Sequence, residues 1–571
     1  MDQPQIFLYP ASFRSVNGTK WGYINDRGQF MIPPQYETAS NFQENGLAIV
    51  QLQGKYGVLN LYGKYVVPPK YEWISSFIEQ RAVVIDEEGF KVIDERGNLL
   101  TSKAYDFIAT YQQGRAVAGI TDEKENERYG YLDLQGREII PLKYRSASDF
   151  HENKAVIQME NKTYALIGRR GEMLQSYPYA FVGALGDGLL AFQKEENGKV
   201  GFIDLQGNVI ISPRYTGVQR FEGGRAIVNI AEGYMDRYGL IDTRGGFILQ
   251  PIYDDMLRLE NQRIAIGKAT YPAKPFLGKK YAVADTNGRI FTGFLYDWIV
   301  PYEHHVASAT DGKYTFFINE GGQRVQNLPW VEGSGVLSFV GRLIRVDVDY
   351  RTSYITRNGR LVWKQNTVVF LRPPYKVVEE KYKPNKDYLV YYPQIHGMGR
   401  MQEPVNDRLK QLSQIKYIPP NVQLEESYLG DFSIYFYKKN LLVLQLDGYR
   451  YPFGAAHGMP TKIYPHINLV SGQFYQLEDL FKKGSSYVAV LSEIVGKQIK
   501  EDPQYSYVFP DAYQGIRKDQ PFYVGEDDLY IYFEPYEIAP YAAGFVTFKI
   551  PYFQIMSIID TQGSFWKSFH D

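Results

Sequence analysis

Three groups of side chains in this sequence could do chemistry. His457 and His466 stand nine residues apart around a predicted turn, with Asp447 upstream. If the loop folds back they could hold a metal or exchange a proton, because imidazole both ligates and titrates near neutrality. Their spacing is not that of an HExxH helix, and a histidine between Ala456 and Gly458 more often hydrogen-bonds its own loop. Glu534 and Glu537 lie among Tyr530, Tyr532, Tyr536 and Tyr541. Carboxylates accept hydroxyl hydrogen bonds and aromatic rings stack on sugar faces, so the mixture suits a saccharide. The same pair could act as glycosidase carboxylates, which need a fixed separation across a cleft, or could organise the turns that carry Pro535 and Pro540. The binding candidates are therefore His457, Glu534, Tyr536, Glu537 and Tyr541, and no catalytic residue is assigned. His304 and His305 carry less weight, since adjacent strand residues point to opposite faces.

Other chemistries find no residues to run on. The chain has no cysteine, which excludes disulfides, thiolate nucleophiles and cysteine-ligated metals. No Gly-X-Ser-X-Gly elbow, phosphate loop or dinucleotide fingerprint occurs, and Gly397-Met398-Gly399 lacks the third glycine of the last. Neither a cofactor nor a metal is expected. Lysines and arginines number 63 against 64 acids, a net charge of −1. Nucleic acid is not an expected partner, because polyanion binding draws on counterion release from a basic surface. No run approaches the ~18 apolar residues of a membrane span, so no membrane insertion is expected. The first ten residues have no signal-peptide pattern, which favours the cytoplasm.

These side chains must be positioned by sheet. Tyrosine, phenylalanine and tryptophan total 49, 33 and 6 in 571 residues, or 15%, against about 8–9% in average usage. Such residues fit pleated, half-buried surfaces. The first two thirds are also internally repetitive. Lys20-Trp21-Gly22-Tyr23-Ile24 leads to Asp26-Arg27-Gly28, Ile32-Pro33-Pro34-Gln35-Tyr36 and Gly46-Leu47-Ala48-Ile49-Val50. The series then restarts at Lys55-Tyr56-Gly57 and runs through Val67-Pro68-Pro69-Lys70-Tyr71. Further copies are anchored at Tyr129-Gly130, Val200-Gly201 and Tyr238-Gly239, with degenerate ones around Phe90, Tyr164, Tyr281, Tyr314 and Thr352. The turn glycines from Gly28 through Gly321 to Gly359 recur at intervals of 33–43 residues, which makes about ten copies.

Each copy reads as a short β-meander. Asp26-Arg27-Gly28 supplies a tight turn. Pro33-Pro34 is expected to end strand pairing, since proline donates no amide hydrogen. The glycine after the aromatic is expected to admit a close backbone or ring. A unit this small cannot bury its apolar face alone, so neighbours must stack into a continuous core. Ten units exceed the usual four to eight blades of a propeller, which favours an open solenoid, with a β-propeller as the alternative.

The repeated residues resemble the WG-repeat family of bacterial β-repeats, over about residues 15–365. Most copies here replace the tryptophan, and the glycine is lost at Lys91, Ala165 and Ala282, which puts the third, fifth and eighth copies in line for distortion. The resemblance implies an interaction repeat without catalytic residues.

The period stops near 365–380, which divides the chain into a repeat array at 1–370 and a second domain at 371–571. Val405, Leu409, Leu412 and Ile415 have helical spacing, as do Val488, Leu491, Ile494, Val495 and Ile499. Residues 432–437 with 441–446, and 529–533 with 545–550, read as hairpins, giving an α+β domain. Three ordered motifs, around Tyr451–Gly458, Leu477–Phe481 and Phe533–Gly544, resemble the domain-of-unknown-function family 3298. Tyr391–Ile395 with Val405-Asn406 resembles its companion, family 4163. Together they cover roughly 374–560. This domain forms the extracellular part of lysozyme-sensing anti-sigma factors and accompanies some peptidoglycan deacetylases, so the resemblance implies an extracytoplasmic setting, against the missing signal. It also implies a protein or peptidoglycan-type glycan as partner. The expected protein is a bacterial, non-enzymatic binding protein with an extended β-repeat surface and an α+β ligand-binding domain. The alternative is a cell-wall carbohydrate hydrolase that uses Glu534, Glu537 and His457.

Overall fold

The computed structural model describes residues 7–231, 233 and 235–571. Packing divides the chain into two units: one ends at Ser12 and resumes over Lys20–Lys364, and the other combines Phe13–Thr19 with Gln365–Asp571. Among the described residues no helix is long and apolar enough to cross a membrane.

The first unit is a series of ten small antiparallel sheets of three or four strands, at 9–36, 38–71, 73–94, 107–144, 146–177, 181–215, 217–253, 255–285, 298–332 and 335–364. No sheet has a private interior. Ten apolar clusters of buried side chains each draw on two sheets. Val58, Val67 and Tyr71 of sheet 2, for instance, meet Ile74, Phe77 and Val84 of sheet 3. Stacked, mainly β repeats were expected. The preference for an open solenoid is corrected, because one of the ten clusters joins the ends: Leu343, Tyr354 and Trp363 of sheet 10 pack on Tyr9, Ala11 and Ile24 of sheet 1. The Tyr354 hydroxyl donates to the Pro10 carbonyl at 2.9 Å, and the Arg342 amide donates to the Tyr9 hydroxyl at 3.2 Å. Closure follows from the same rule as stacking, since an open array would leave one apolar wall at each end in water.

The glycine of the repeat answers to a backbone crossing. Trp21 pairs with Tyr36 but Tyr23 pairs with Ile32, so the last strand of the sheet carries two extra residues at Pro33-Pro34. The prolines do not end pairing, as the sequence suggests; they form a bulge inside Phe30–Tyr36, where a missing amide hydrogen costs no ladder bond. This bulge lies on Gly22, where a β-carbon would stand 2.3 Å from the Ile32 oxygen. Gly57, Gly130, Gly201 and Gly239 meet their own bulges in the same way. Where the glycine is lost, the last strand changes. In sheets 3 and 8 the last strand shrinks to isolated bridges such as Phe90 to Tyr105 and Tyr281 to Tyr296. In sheet 5, Ala165 pairs plainly with Ser176 in a four-stranded sheet, so this copy is simplified rather than broken.

Side chains stitch neighbouring copies. The basic residue before the aromatic pairs with an acid 17 residues on, in Arg237–Asp254 at 2.9 Å and Lys280–Asp297 at 2.9 Å. Arg81, Arg225 and Arg263 donate across to carbonyls of the next sheet's turn, at Leu134, Thr286 and Glu320. The first and second strands are joined by two-residue turns with positive φ, such as Glu79-Gln80 at 50° and 63°, a geometry that matches strand twist. His304-His305 is one of these turns, at φ 49° and 66°, and not a strand segment. In the ninth copy the left-handed glycine is Gly322 rather than Gly321.

The second unit is built on β1 (Val368–Phe370), β2 (Lys376–Asn385), β3 (Tyr388–His396), α1 (Gln402–Leu412), β4 (Glu426–Lys438), β5 (Leu441–Pro452), β6 (Met459–Ile463), β7 (His466–Asn468) and β8 (Phe474–Tyr475). These strands form one sheet in the order β1-β2-β3-β4-β5-β7-β8, with β6 beside the other end of β5. After α2 (Tyr487–Glu501), a second sheet consists of β9 (Phe522–Val524), β10 (Asp528–Phe533) and β11 (Val546–Pro551). Both hairpins read from the sequence are present, the first much longer, as is each helix, with Ile415 falling beyond α1. Asn406 on α1 is buried and clamps β3, accepting the Ile395 N–H at 2.7 Å and donating to its carbonyl at 2.9 Å. Leu491 and Val495 of α2 enter the same core as Leu529, Ile531 and Phe548 of the second sheet.

Candidate functional site

Strand β6 separates the two histidines. His466 follows it into the core, where its ring lies 4.3 Å from Phe522 and 3° from coplanar. The side chain is 1% exposed, and burial pushes its pKa down to about 3, a shift that the Tyr464 backbone beside the ring offsets in part. His457 precedes β6 on an exposed loop. The loop does not fold back to join His457 with His466, and among the described residues no group of three or more histidines or acids is placed to hold a metal.

His457 instead meets the tyrosines of the segment after β10. Its ring stacks on Tyr541 at 4.0 Å, and its Nε2 lies 3.1 Å from the Tyr536 hydroxyl. Tyr541 donates to the Gly458 carbonyl at 2.9 Å, which ties the segment to the start of β6. Tyr536 is held at φ 70°, in the left-handed region that a tyrosine rarely occupies. Glu537 holds this turn. It ion-pairs with Arg517 and accepts the Glu534 N–H at 2.9 Å. The two glutamates are thus joined through a turn and do not face one another across a cleft. The structure brings His457, Tyr536 and Tyr541 together, places Glu537 beneath them as a support, and puts Glu534 elsewhere.

Glu534 sits where two clefts meet. The larger, of about 590 Å³, runs past Lys462, Tyr464, His466, Phe474, Tyr532 and Glu534. The second, of about 490 Å³, is lined by Tyr391, Asp447, Arg450, Thr461 and Glu534. A third, of about 280 Å³, opens beyond Asp431 and Asp447. Asp431 and Asp447 stand opposite each other on β4 and β5. Burial, with the neighbouring Asp431 charge, raises the Asp447 carboxyl above its ordinary range, and the Gln445 amide and Lys462 offset part of this. Gln445 donates to both Asp447 oxygens at 3.0 and 2.8 Å and accepts the Tyr464 hydroxyl at 3.0 Å.

Beside the larger cleft is a ledge of tyrosine rings. Tyr464 lies 4.4 Å from Tyr523, 5.2 Å from Tyr435 and 5.5 Å from Tyr532, and Tyr523 stacks on Tyr530 at 4.6 Å. Tyr532 donates to the Lys462 carbonyl at 2.8 Å, so a hydroxyl replaces a strand partner on that edge of β6. Sequence reasoning singled out Tyr530 and Tyr532 but missed Tyr435, Tyr464 and Tyr523. The available signal was alternation, which puts Tyr530 with Tyr532 on one face of a strand; it does not reach Tyr435, which stands at a bulge between Ile434 and Phe436.

A ring of β-meander repeats followed by an α+β unit is the architecture of a repeat-containing protein. Five stretches of the ring, 21–56, 56–87, 129–162, 201–234 and 238–268, match the WG containing repeat, and residues 478–553 match DUF3298, a protein family of unknown function. The chain thus carries WG repeats and a DUF3298 domain. No curated protein matches it. Solved structures with some likeness include DUF3298 family proteins from Bacteroides fragilis, at 16% identity over 32% of this chain and 92% of that one with a TM-score of 0.27, and from Pseudomonas aeruginosa, at 16% identity over 33% and 94% with a TM-score of 0.26. BamB from Moraxella catarrhalis is 13% identical over 50% of this chain and 94% of its own, with a TM-score of 0.28. Likeness of this size carries no argument about activity.

Proposed function

We propose that this is a non-enzymatic binding protein in which the WG-repeat ring presents an extended interaction surface and the C-terminal unit binds a cell-wall type glycan. The observation that carries the reading is the tyrosine ledge in which Tyr464, in the wall of a cleft that also holds charged side chains, packs with the partly exposed Tyr435 and Tyr523 over the buried Tyr532. Sugar rings offer apolar C–H faces that pack on aromatic rings, and their hydroxyls need both donors and acceptors. Tyrosine supplies a large, stiff contact area at low conformational cost, and Lys462 and Glu534 supply one donor and one acceptor at the cleft. The hydrolase alternative has no comparable support, since Glu537 is engaged with Arg517 and the Glu534 amide.

The test is co-sedimentation of the purified chain with insoluble peptidoglycan and with chitin, alongside the Tyr464→Ala/Tyr523→Ala double variant. Wild type should pellet and the folded variant should stay in solution. Wild type remaining in the supernatant, or both pelleting alike, would sink the glycan reading. Capture on immobilised lysozyme with none on glycan would make the ligand a protein.

A further inference from the structure

These three clefts of the C-terminal unit are not separate. The largest and the second share Leu412, Ile463 and Glu534 in their walls, and the second and third share Asp431 and Asp447. Each of the two larger ones alone has the volume that holds one small ligand, about 300–1,000 Å³, so the series exceeds what a single such ligand would fill. The junctions are polar. Glu534 marks one and Asp447 the other, with Arg450 and Lys462 nearby in the walls. Acids and bases are balanced along the path, which disfavours a polyanion or polycation and suits a neutral chain with repeated hydroxyl and amide groups.

We propose that the three clefts are successive subsites of one groove that takes an extended, neutral amino-sugar polymer, with Glu534 and Asp447 contacting the ligand at the two junctions between subsites. This rests on the glycan reading above and adds the length of the ligand and its path. A short oligomer occupies the largest cleft with its tyrosine ledge. A longer one must cross the Asp447 junction.

Calorimetric titration of the full chain with N-acetylglucosamine oligomers of one to six units tests this, in wild type and Asp447→Asn. Wild-type affinity should climb with each added unit and level off only at the longer oligomers. Asp447→Asn is isosteric, and a thermal melt checks its fold. It should weaken the hexamer roughly tenfold more than the dimer, the worth of one hydrogen bond to a charged group. Equal affinity from dimer to hexamer would overturn the continuous groove while leaving glycan binding in place. An equal loss for all lengths in Asp447→Asn would place the short ligand at Asp447 and refute the proposed order. Failure of every oligomer to bind would overturn this proposal together with the reading it rests on.

Discussion

Replacing Gly130 by alanine is the sharpest perturbation of the repeat. Tyr129 pairs with Tyr144 and Tyr131 with Ile140, so the Pro141 bulge passes over Gly130. A β-carbon there would stand 2.4 Å from the Ile140 oxygen, 2.6 Å from the Pro141 oxygen and 2.7 Å from the Pro141 carbonyl carbon. Ordinary carbon–oxygen contact starts at about 3.3 Å, so the bulge must retreat by nearly an ångström. It has little freedom to do so. Proline fixes its own φ, and Ile140 and Tyr144 on either side are buried in the core shared by sheets 4 and 5. A forced backbone shift of this kind costs about 2–3 kcal/mol. Hydrogen exchange read by mass spectrometry over 127–144 should show protection falling by that amount, with sheets 8 and 9 unaffected. Ala165→Gly in sheet 5, where no bulge crosses, should cost under about 1 kcal/mol. If Gly130→Ala leaves exchange within about 0.5 kcal/mol of wild type, the glycine is not there for the crossing and the argument fails.

Two further outcomes concern the C-terminal unit. His466 has a pKa near 3 folded against 6.5 free, so unfolding takes up a proton as the pH falls through this window. Stability should decline from about pH 6.5 downward, by on the order of 4–5 kcal/mol at the acid end. His466→Phe should flatten the slope of denaturation midpoint between pH 6 and 4, and an unchanged slope would contradict the buried neutral ring. Glu537→Gln loses the partly exposed pair with Arg517 and should cost about 0.5–1 kcal/mol in thermal unfolding. Loss of a measurable glycan-cleaving activity in this variant would restore the hydrolase reading.

The repeat, its period and its lack of a private interior could be read from residue types, because ten copies average out local ambiguity. The α+β elements were legible for the same physical reasons of periodicity. Ring closure was not, since Tyr9 and Tyr354 meet across 345 positions of sequence and nothing local records which far wall completes an end sheet. The bulge at Pro33-Pro34 was half legible: the missing amide hydrogen showed, but whether it ends a strand or bulges within one depends on Gly22 opposite. At the site, clustering in sequence brought forward Glu534, Tyr536, Glu537 and Tyr541. It did not separate Glu537, which supports a turn, from Glu534, which lines two clefts. His457 and His466 are close in sequence yet lie on either side of β6, whose length alone keeps them apart. The ledge was hidden because Tyr435, Tyr464 and Tyr523 come from three distant segments.

Closure of the ring through shared cores is tested most directly by hydrogen exchange in Tyr354→Ala. The substitution empties a buried site in the cluster between sheets 10 and 1, a loss of about 3–5 kcal/mol for a large core side chain. A closed ring predicts that residues 9–36 and 335–364 lose protection together, while sheets 5 and 6 keep theirs. Loss confined to 335–364, with 9–36 unchanged, would mean that the ends do not share a core.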